Sequence, residues 1–299
     1  MSNDKMKAKY LNPFTDFGFK KIFGEEASKP LLIDFLNSLL PQSDKIVDLT
    51  FKNNEQLGQT DIDRKAIYDI YCENEKGEKF IVELQKAKQN YFKERTIYYS
   101  TFPIREQAEK GEWNYNLKAV YCIGILDFTF DDYEIEPEKS EVVHTIKLKN
   151  QNGKTFYEKL TYIYLEMPNF KLAESQLKTR LDKWLYFIKY LEDFQTIPKI
   201  FFDEVFSQAF EKAELAKFGQ SELANYENSL KIYRDLKGVI DTAYDEGKLE
   251  GKLEGKLEGK LEGKLEGKLE MARFMKSENE PIEKIVKYTG LTKEAIDKL

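Results

Sequence analysis

Histidine is almost absent from this chain: of its 299 residues only His144 is one. A single imidazole excludes catalytic triads built on histidine and metal centres with several histidine ligands. Cysteine is nearly as scarce, with only Cys72 and Cys122. Each falls in a segment that reads as a strand, which suits a buried small apolar residue in a reducing compartment better than a disulfide or a zinc ligand. No apolar run approaches the ~20 residues that a membrane-spanning helix needs; Ala119 to Leu126 is among the longest. No N-terminal stretch has the pattern of a signal peptide, so a cytoplasmic location is expected. Gly-rich phosphate loops and Gly-x-Ser-x-Gly elbows are missing as well. Excess positive charge is also lacking, because the formal net charge is −6. Nucleic-acid contacts, if made, must come from local basic clusters rather than from the chain as a whole.

What is present is a pair of strand-like segments, Ile67 to Cys72 and Phe80 to Gln85, joined by the turn Glu73 to Lys79. Side chains alternate along a strand, so Ile81, Glu83 and Gln85 share one face and Phe80, Val82 and Leu84 the other. A three-residue hairpin loop favours Gly at its last, left-handed position, which makes Glu75-Lys76-Gly77 the loop and pairs Asn74 with Glu78. Counting back in that register sets Asp69 opposite Glu83 on the same face. A slip of one residue would separate them, so the inference hangs on Gly77.

Two half-buried carboxylates this close repel unless a cation lies between them or one holds a proton. A hard divalent ion such as Mg²⁺ suits two carboxylates, with water and substrate phosphate oxygens completing its shell. A solvent-facing cross-strand pair without a ligand satisfies the same spacing. Asp61 and Asp63, just upstream, read either as further groups near the ion or as a capped loop.

Several words of the sequence carry a resemblance. They are Leu11 to Gly24 (LNPFTDFGFKKIFG), Leu31 to Asn37 (LLIDFLN), Ile81 to Gln85 (IVELQ), Phe92 to Arg95 with Tyr98-Tyr99, and Leu181 to Leu185 (LDKWL). Their order and spacing resemble the Rpn family of recombination-promoting nucleases, also described as transposases, within the PD-(D/E)XK superfamily. The likeness runs from about Tyr10 to the C-terminus, apart from the repeat described below. It implies an α/β fold with a restriction-endonuclease-like core (helix, three strands, helix, strand), extended here by a β-hairpin and C-terminal helices. It also implies a Mg²⁺-dependent endonuclease acting on DNA, with Asp69, Glu83 and Gln85 as catalytic residues and Asp69 and Glu83 as metal ligands. Asp16, Lys21, Lys86, Lys93 and Arg95 become candidates to support the ligands or to contact DNA. Gln85 departs from the Lys usual at its position, and a carboxamide cannot ionise near neutrality. Restoring Lys there is expected to retain or raise activity. The rival reading is a nuclease-fold protein of weak or no activity that binds DNA or oligomerises; Gln85 and the acidic charge favour it.

The remaining pattern agrees with that order. Leu31, Leu32, Phe35, Leu36, Leu39 and Leu40 recur at helical spacing between Pro30 and Pro41. A strand from about Lys45 to Phe51, a helix from Asn90 to Lys110 kinked at Pro103, and a strand from Lys118 to Phe130 follow. Asn152-Gly153 marks a second hairpin. Beyond it Leu181, Trp184, Leu185, Ile188, Phe202, Phe206 and Phe210 read as helical core. The expected divisions are residues 1–130 as nuclease core, 131–238 as a hairpin and helical part packed on it, 239–270 as a repeat helix or spacer, and 271–299 as a small helical tail. From Gly247 to Glu270 the tetrapeptide Gly-Lys-Leu-Glu occurs six times. Four residues turn a helix by about 400°, so the Leu stripe drifts by roughly 40° per repeat. Each Gly costs about 1 kcal/mol relative to Ala, so a lone helix here is weak. Both a solvated, partly helical spacer and a parallel homodimer through Leu249, Leu253 and Leu257 fit this pattern. The tail reads as helix, Gly turn and Thr-capped helix, with little basic charge for reading bases.

Overall fold

The computed structural model describes residues 8–56, 66–109, 111–130 and 141–299. Asp61 and Asp63 lie outside the described residues. The centre is a six-stranded mixed sheet in the order β1 (Leu49–Phe51), β4 (Ile70–Asn74), β5 (Lys79–Gln85), β6 (Val120–Leu126), β8 (Thr155–Glu166), β7 (Val143–Lys149). Strands β5, β6 and β8 run parallel, while β1, β4 and β7 add antiparallel. Two short strands, β2 (Glu55–Gln56) and β3 (Ala66–Ile67), pair with each other. Helices α1 (Asp16–Phe23) and α2 (Lys29–Leu39) precede β1, and α3 (Phe92–Glu106) makes the crossover from β5 to β6. This is the restriction-endonuclease-like α/β order that the sequence led us to expect.

Local chemistry sets these elements. The Thr15 hydroxyl caps α1 by accepting from the Gly18 amide at 2.9 Å. Gly18 is required there, since a Cβ would stand 2.3 Å from the Asn12 carbonyl oxygen. Pro30 occupies the first turn of α2, and the helix stops at Leu39, two residues before Pro41. Strands β5 and β6 and the second half of β8 are buried on both faces, as parallel strands covered by helices must be. Phe80, Val82, Leu84, Tyr121, Ile123, Ile125, Ile163 and Leu165 enter the main core with α1, α2, α4 (Arg180–Tyr190) and α5 (Glu204–Ala213). Ile81, Val120, Cys122, Leu126, Tyr162 and Tyr164 enter a second core beneath α3.

Helix α3 is tied to the sheet by hydroxyls at helical spacing. Thr96 bonds Tyr164 at 2.7 Å, Ser100 bonds Tyr162 at 2.8 Å, and Tyr71 donates to Glu106. Pro103 sits inside α3 and has no N–H for the carbonyl of Tyr99. The Tyr68 hydroxyl donates to that carbonyl at 3.0 Å instead.

The helical part departs from the sequence reading at Phe202. This residue is 70% exposed, while its neighbour Phe201 is buried. A 3-10 turn over Lys199–Phe201 after Pro198 rotates the pair by one position. Trp184, Phe206 and Phe210 are buried as expected.

The chain divides into two compact units after Leu236. Helix α6 (Gln220–Ser277) begins in the first, where Tyr226 and Tyr233 join the main core. In the second unit the Gly-Lys-Leu-Glu repeat is helical throughout. Helix propagation is far easier than nucleation, and here both ends of α6 are packed, so the repeat needs no nucleus of its own. Ala272 near its end packs with Ile285 of α7 (Ile282–Thr289) and Ile296 of α8 (Lys293–Asp297). Gly290 turns between these helices at φ +67°, and Thr292 caps α8. No described helix is long and apolar enough to cross a membrane.

Candidate active site

The hairpin forms as its sequence dictates. Gly77 has φ +77°, and the Asn74 amide donates to the Glu78 carbonyl at 3.0 Å. The Asn74 side-chain oxygen accepts from the amides of Lys76 and Glu78, at 3.0 and 2.9 Å, which locks the loop. The ladder then pairs Ile70 with Val82, Tyr71 with Ile81 and Cys72 with Phe80. One step further on, Asp69 lies beside Glu83.

The segment from Ile67 to Cys72 is not one continuous strand, and the interruption falls at Tyr68 and Asp69. Phe51 and Glu55 are four residues apart (55 − 51), whereas their partners Cys72 and Ile67 are five apart (72 − 67). Hydrogen bonds from the Lys52 amide to Tyr71 and from the Tyr68 amide to Asn54 bracket the extra residue. A bulge of this kind bends a strand and re-aims a side chain. Here the Asp69 carboxylate turns onto β5 and accepts from the Leu84 amide at 2.8 Å. The Asp69 amide donates to Glu83 Oε1 at 3.3 Å. Each carboxylate is thus held by the other's strand.

Both are half-buried, and their electrostatics follow from that. Burial raises the Asp69 carboxyl above the usual range, against the Leu84 amide and the charge of Lys20. Burial, and then the charge of Asp69, push Glu83 up to about 8, against the Asp69 amide, Arg95 and Lys20. The pair therefore favours holding a proton or a cation.

Glu83 has Gly124 as its register partner on β6. A Cβ there would lie 2.9 Å from the Tyr164 ring and 3.3 Å from the Leu126 side chain. The glycine lets the Tyr164 ring approach the β6 backbone closely, which a glycine inside an apolar strand run can signal.

The basic candidates separate into groups. Lys86 reaches the entry helix and pairs with Asp16 at 2.7 Å. Gln85 is buried; it donates to the Ala87 carbonyl at 3.1 Å and accepts from Arg95. Lys93 lies over the Phe130 ring at 4.9 Å. Lys21 belongs elsewhere, engaged by Glu222 at 2.6 Å and Glu25 at 3.2 Å. Lys20 acts by its charge on both Asp69 and Glu83, and Lys86 acts on Asp69. The position of Lys20 four residues after Asp16 puts both on one face of α1, a spacing that could have identified it. Among the described residues no three His, Cys, Asp or Glu side chains form a metal cluster.

A sheet of this order, crossed by one helix and carrying two carboxylates on an adjacent antiparallel pair, defines the restriction-endonuclease-like nucleases. A family model described as PD-(D/E)XK nuclease family transposase matches residues 13–243, and the chain belongs to that family. No curated protein and no solved structure matches it. Membership implies a nuclease-like function with DNA as substrate, in a group whose members typically use divalent cations.

Proposed function

We propose that this chain is a metal-dependent endonuclease that hydrolyses DNA phosphodiester bonds, with Asp69 and Glu83 holding Mg²⁺. The observation that supports this most strongly is the convergence of two carboxylates through a bulge and a hairpin register, both with raised proton affinity. Among the described residues one oxygen of each accepts no hydrogen bond, which fits a hard cation bound by two carboxylates and completed by water and phosphate oxygens. When bound, the ion supplies Lewis acidity and positive charge at the scissile phosphate. The chain supplies the rest. The Leu84 amide fixes Asp69, the Asp69 amide fixes Glu83, and Lys20 and Arg95 bring positive charge to Glu83. The word transposase in the family description points to the processing of mobile DNA, and we propose recombination in the cytoplasm as the setting. Purified protein should nick supercoiled plasmid with Mg²⁺ and leave it intact with EDTA. Equal cleavage under both conditions would remove the metal from the account.

The repeat bears on partners. Leu249, Leu253 and Leu257 are each 60% exposed, and two parallel helices meeting at these residues would set Lys against Glu. Two copies are therefore proposed to associate there. Removing residues 247–270 should lower the mass measured by light scattering; an unchanged mass would reject the dimer.

A further inference from the structure

In the wider nuclease group a lysine two residues after the Glu brings positive charge to the carboxylates. Here position 85 holds a glutamine, and both ends of its carboxamide are engaged. Gln85 Nε2 donates to the Ala87 carbonyl at 3.1 Å, and Gln85 Oε1 accepts from Arg95 Nη2. A carboxamide can do both because it carries a donor and an acceptor.

Arg95 is held on several sides. Its Nη1 donates to Gln89 Oε1 at 2.6 Å, and its guanidinium lies 5.8 Å from the Phe92 ring and 5.6 Å from the Tyr99 ring. It stands on the first turn of α3, which covers the sheet face that carries Glu83 and Gln85. Its Nε is buried and has no hydrogen-bond partner among the described residues. A buried donor left unpaired is costly, and such groups persist where they are used. Two of the five N–H groups of the guanidinium are spent on carboxamide oxygens. The others leave a planar fork of the kind that grips phosphate oxygens.

We infer that Arg95 carries the positive charge that the wider group places at position 85, that Gln85 is its positioning residue, and that its ligand is a non-bridging oxygen of a DNA phosphodiester held at Asp69 and Glu83. The inference rests on the nuclease reading above, and it reverses the expectation for Lys at position 85. A lysine there has only donors and would face the guanidinium with like charge, so Gln85→Lys alone lowers activity. The same lysine regains its use once Arg95 is gone.

The test is a charge-relocation cycle in the full chain. Mg²⁺-dependent nicking is measured for the parent, Arg95→Met, Gln85→Lys and the double variant, with folding followed by circular dichroism. Arg95→Met should slow nicking roughly 100-fold, the scale for removing one charge-stabilising donor. Gln85→Lys should also slow it, and the double variant should nick faster than either single one. Parental activity in Arg95→Met, or a double variant no faster than both singles, overturns the proposal. Arg95→Gln replaces Arg95→Met, with the same expectations, if the latter does not fold. If the parent does not nick, the nuclease reading fails and duplex binding in Ca²⁺ decides for Arg95. Arg95→Met should then lower the slope of log K against log [KCl] by about one, and the double variant should restore it; an unchanged slope overturns the proposal.

Discussion

Replacing Asp69 by Asn is expected to eliminate the Mg²⁺-induced rise in melting temperature. An ion that binds only the folded state stabilises it by RT ln(1 + [L]/Kd), about 2.7 kcal/mol at a hundredfold excess over Kd. Asn keeps the size of Asp69 and an oxygen for the Leu84 amide, yet removes the charge that a hard cation needs. Without metal the same variant should be more stable than the parent, by an amount that depends on pH. The folded-state proton affinities of Asp69 and Glu83 are raised, so their contribution is most favourable below the ordinary carboxylate value and is lost as pH rises. For Glu83 the window runs from the ordinary carboxylate value of 4.5 up to about 8. The metal-free melting temperature of Asp69→Asn, less that of the parent, should therefore increase across that window. A Mg²⁺-induced shift in the variant as large as in the parent would refute the ligand assignment.

Trp184→Ala is expected to give the largest loss of stability by a route that leaves the site chemistry untouched. Trp184 is wholly buried, with ring centroids 4.6 Å from Phe206, 5.4 Å from Phe23, 5.6 Å from Phe187 and 5.9 Å from Phe35. It joins α1, α2, α4 and α5 under the sheet. Truncating a buried Trp costs about 3–5 kcal/mol, since surrounding helices relax only partly into the space. The indole Nε1 also donates to Asp34 at 2.7 Å, an acceptor shared with Arg180 at 2.6 Å. At roughly 2–4 °C per kcal/mol for a domain of this size, the melting temperature should drop by roughly 10 °C. Trp184→Phe keeps most of the ring and loses only the N–H, so it should cost much less. Equal costs for the two variants would show that packing is not what Trp184 provides.

The hairpin was legible because one glycine determines it. Gly77 sets the loop, the loop sets the register, and the register places Asp69 beside Glu83. The bulge at Asp69 was not legible. It depends on how many residues the partner segment from Phe51 to Glu55 contributes, and side-chain alternation within either segment does not reveal that count. The choice between Lys20 and Lys21 was readable in principle, because only Lys20 shares a helix face with Asp16. The repeat misled for a different reason: local propensity with a glycine every fourth residue argues for a weak helix, whereas the packed segments at both ends decide the outcome. Arg95 appeared in the sequence as one of several basic groups. Its attachment to Gln85 joins a strand to a helix ten residues later and exists only in the folded chain.

The measurement that tests the central claim most directly is plasmid nicking by the parent and by folded Asp69→Asn, run side by side over a Mg²⁺ titration. The account predicts that the parent converts supercoiled plasmid to nicked circles as Mg²⁺ is added, and that Asp69→Asn does not at any concentration. Equal cleavage by the two proteins would contradict it, because the carboxylate pair of Asp69 and Glu83 would then not be the site of the chemistry.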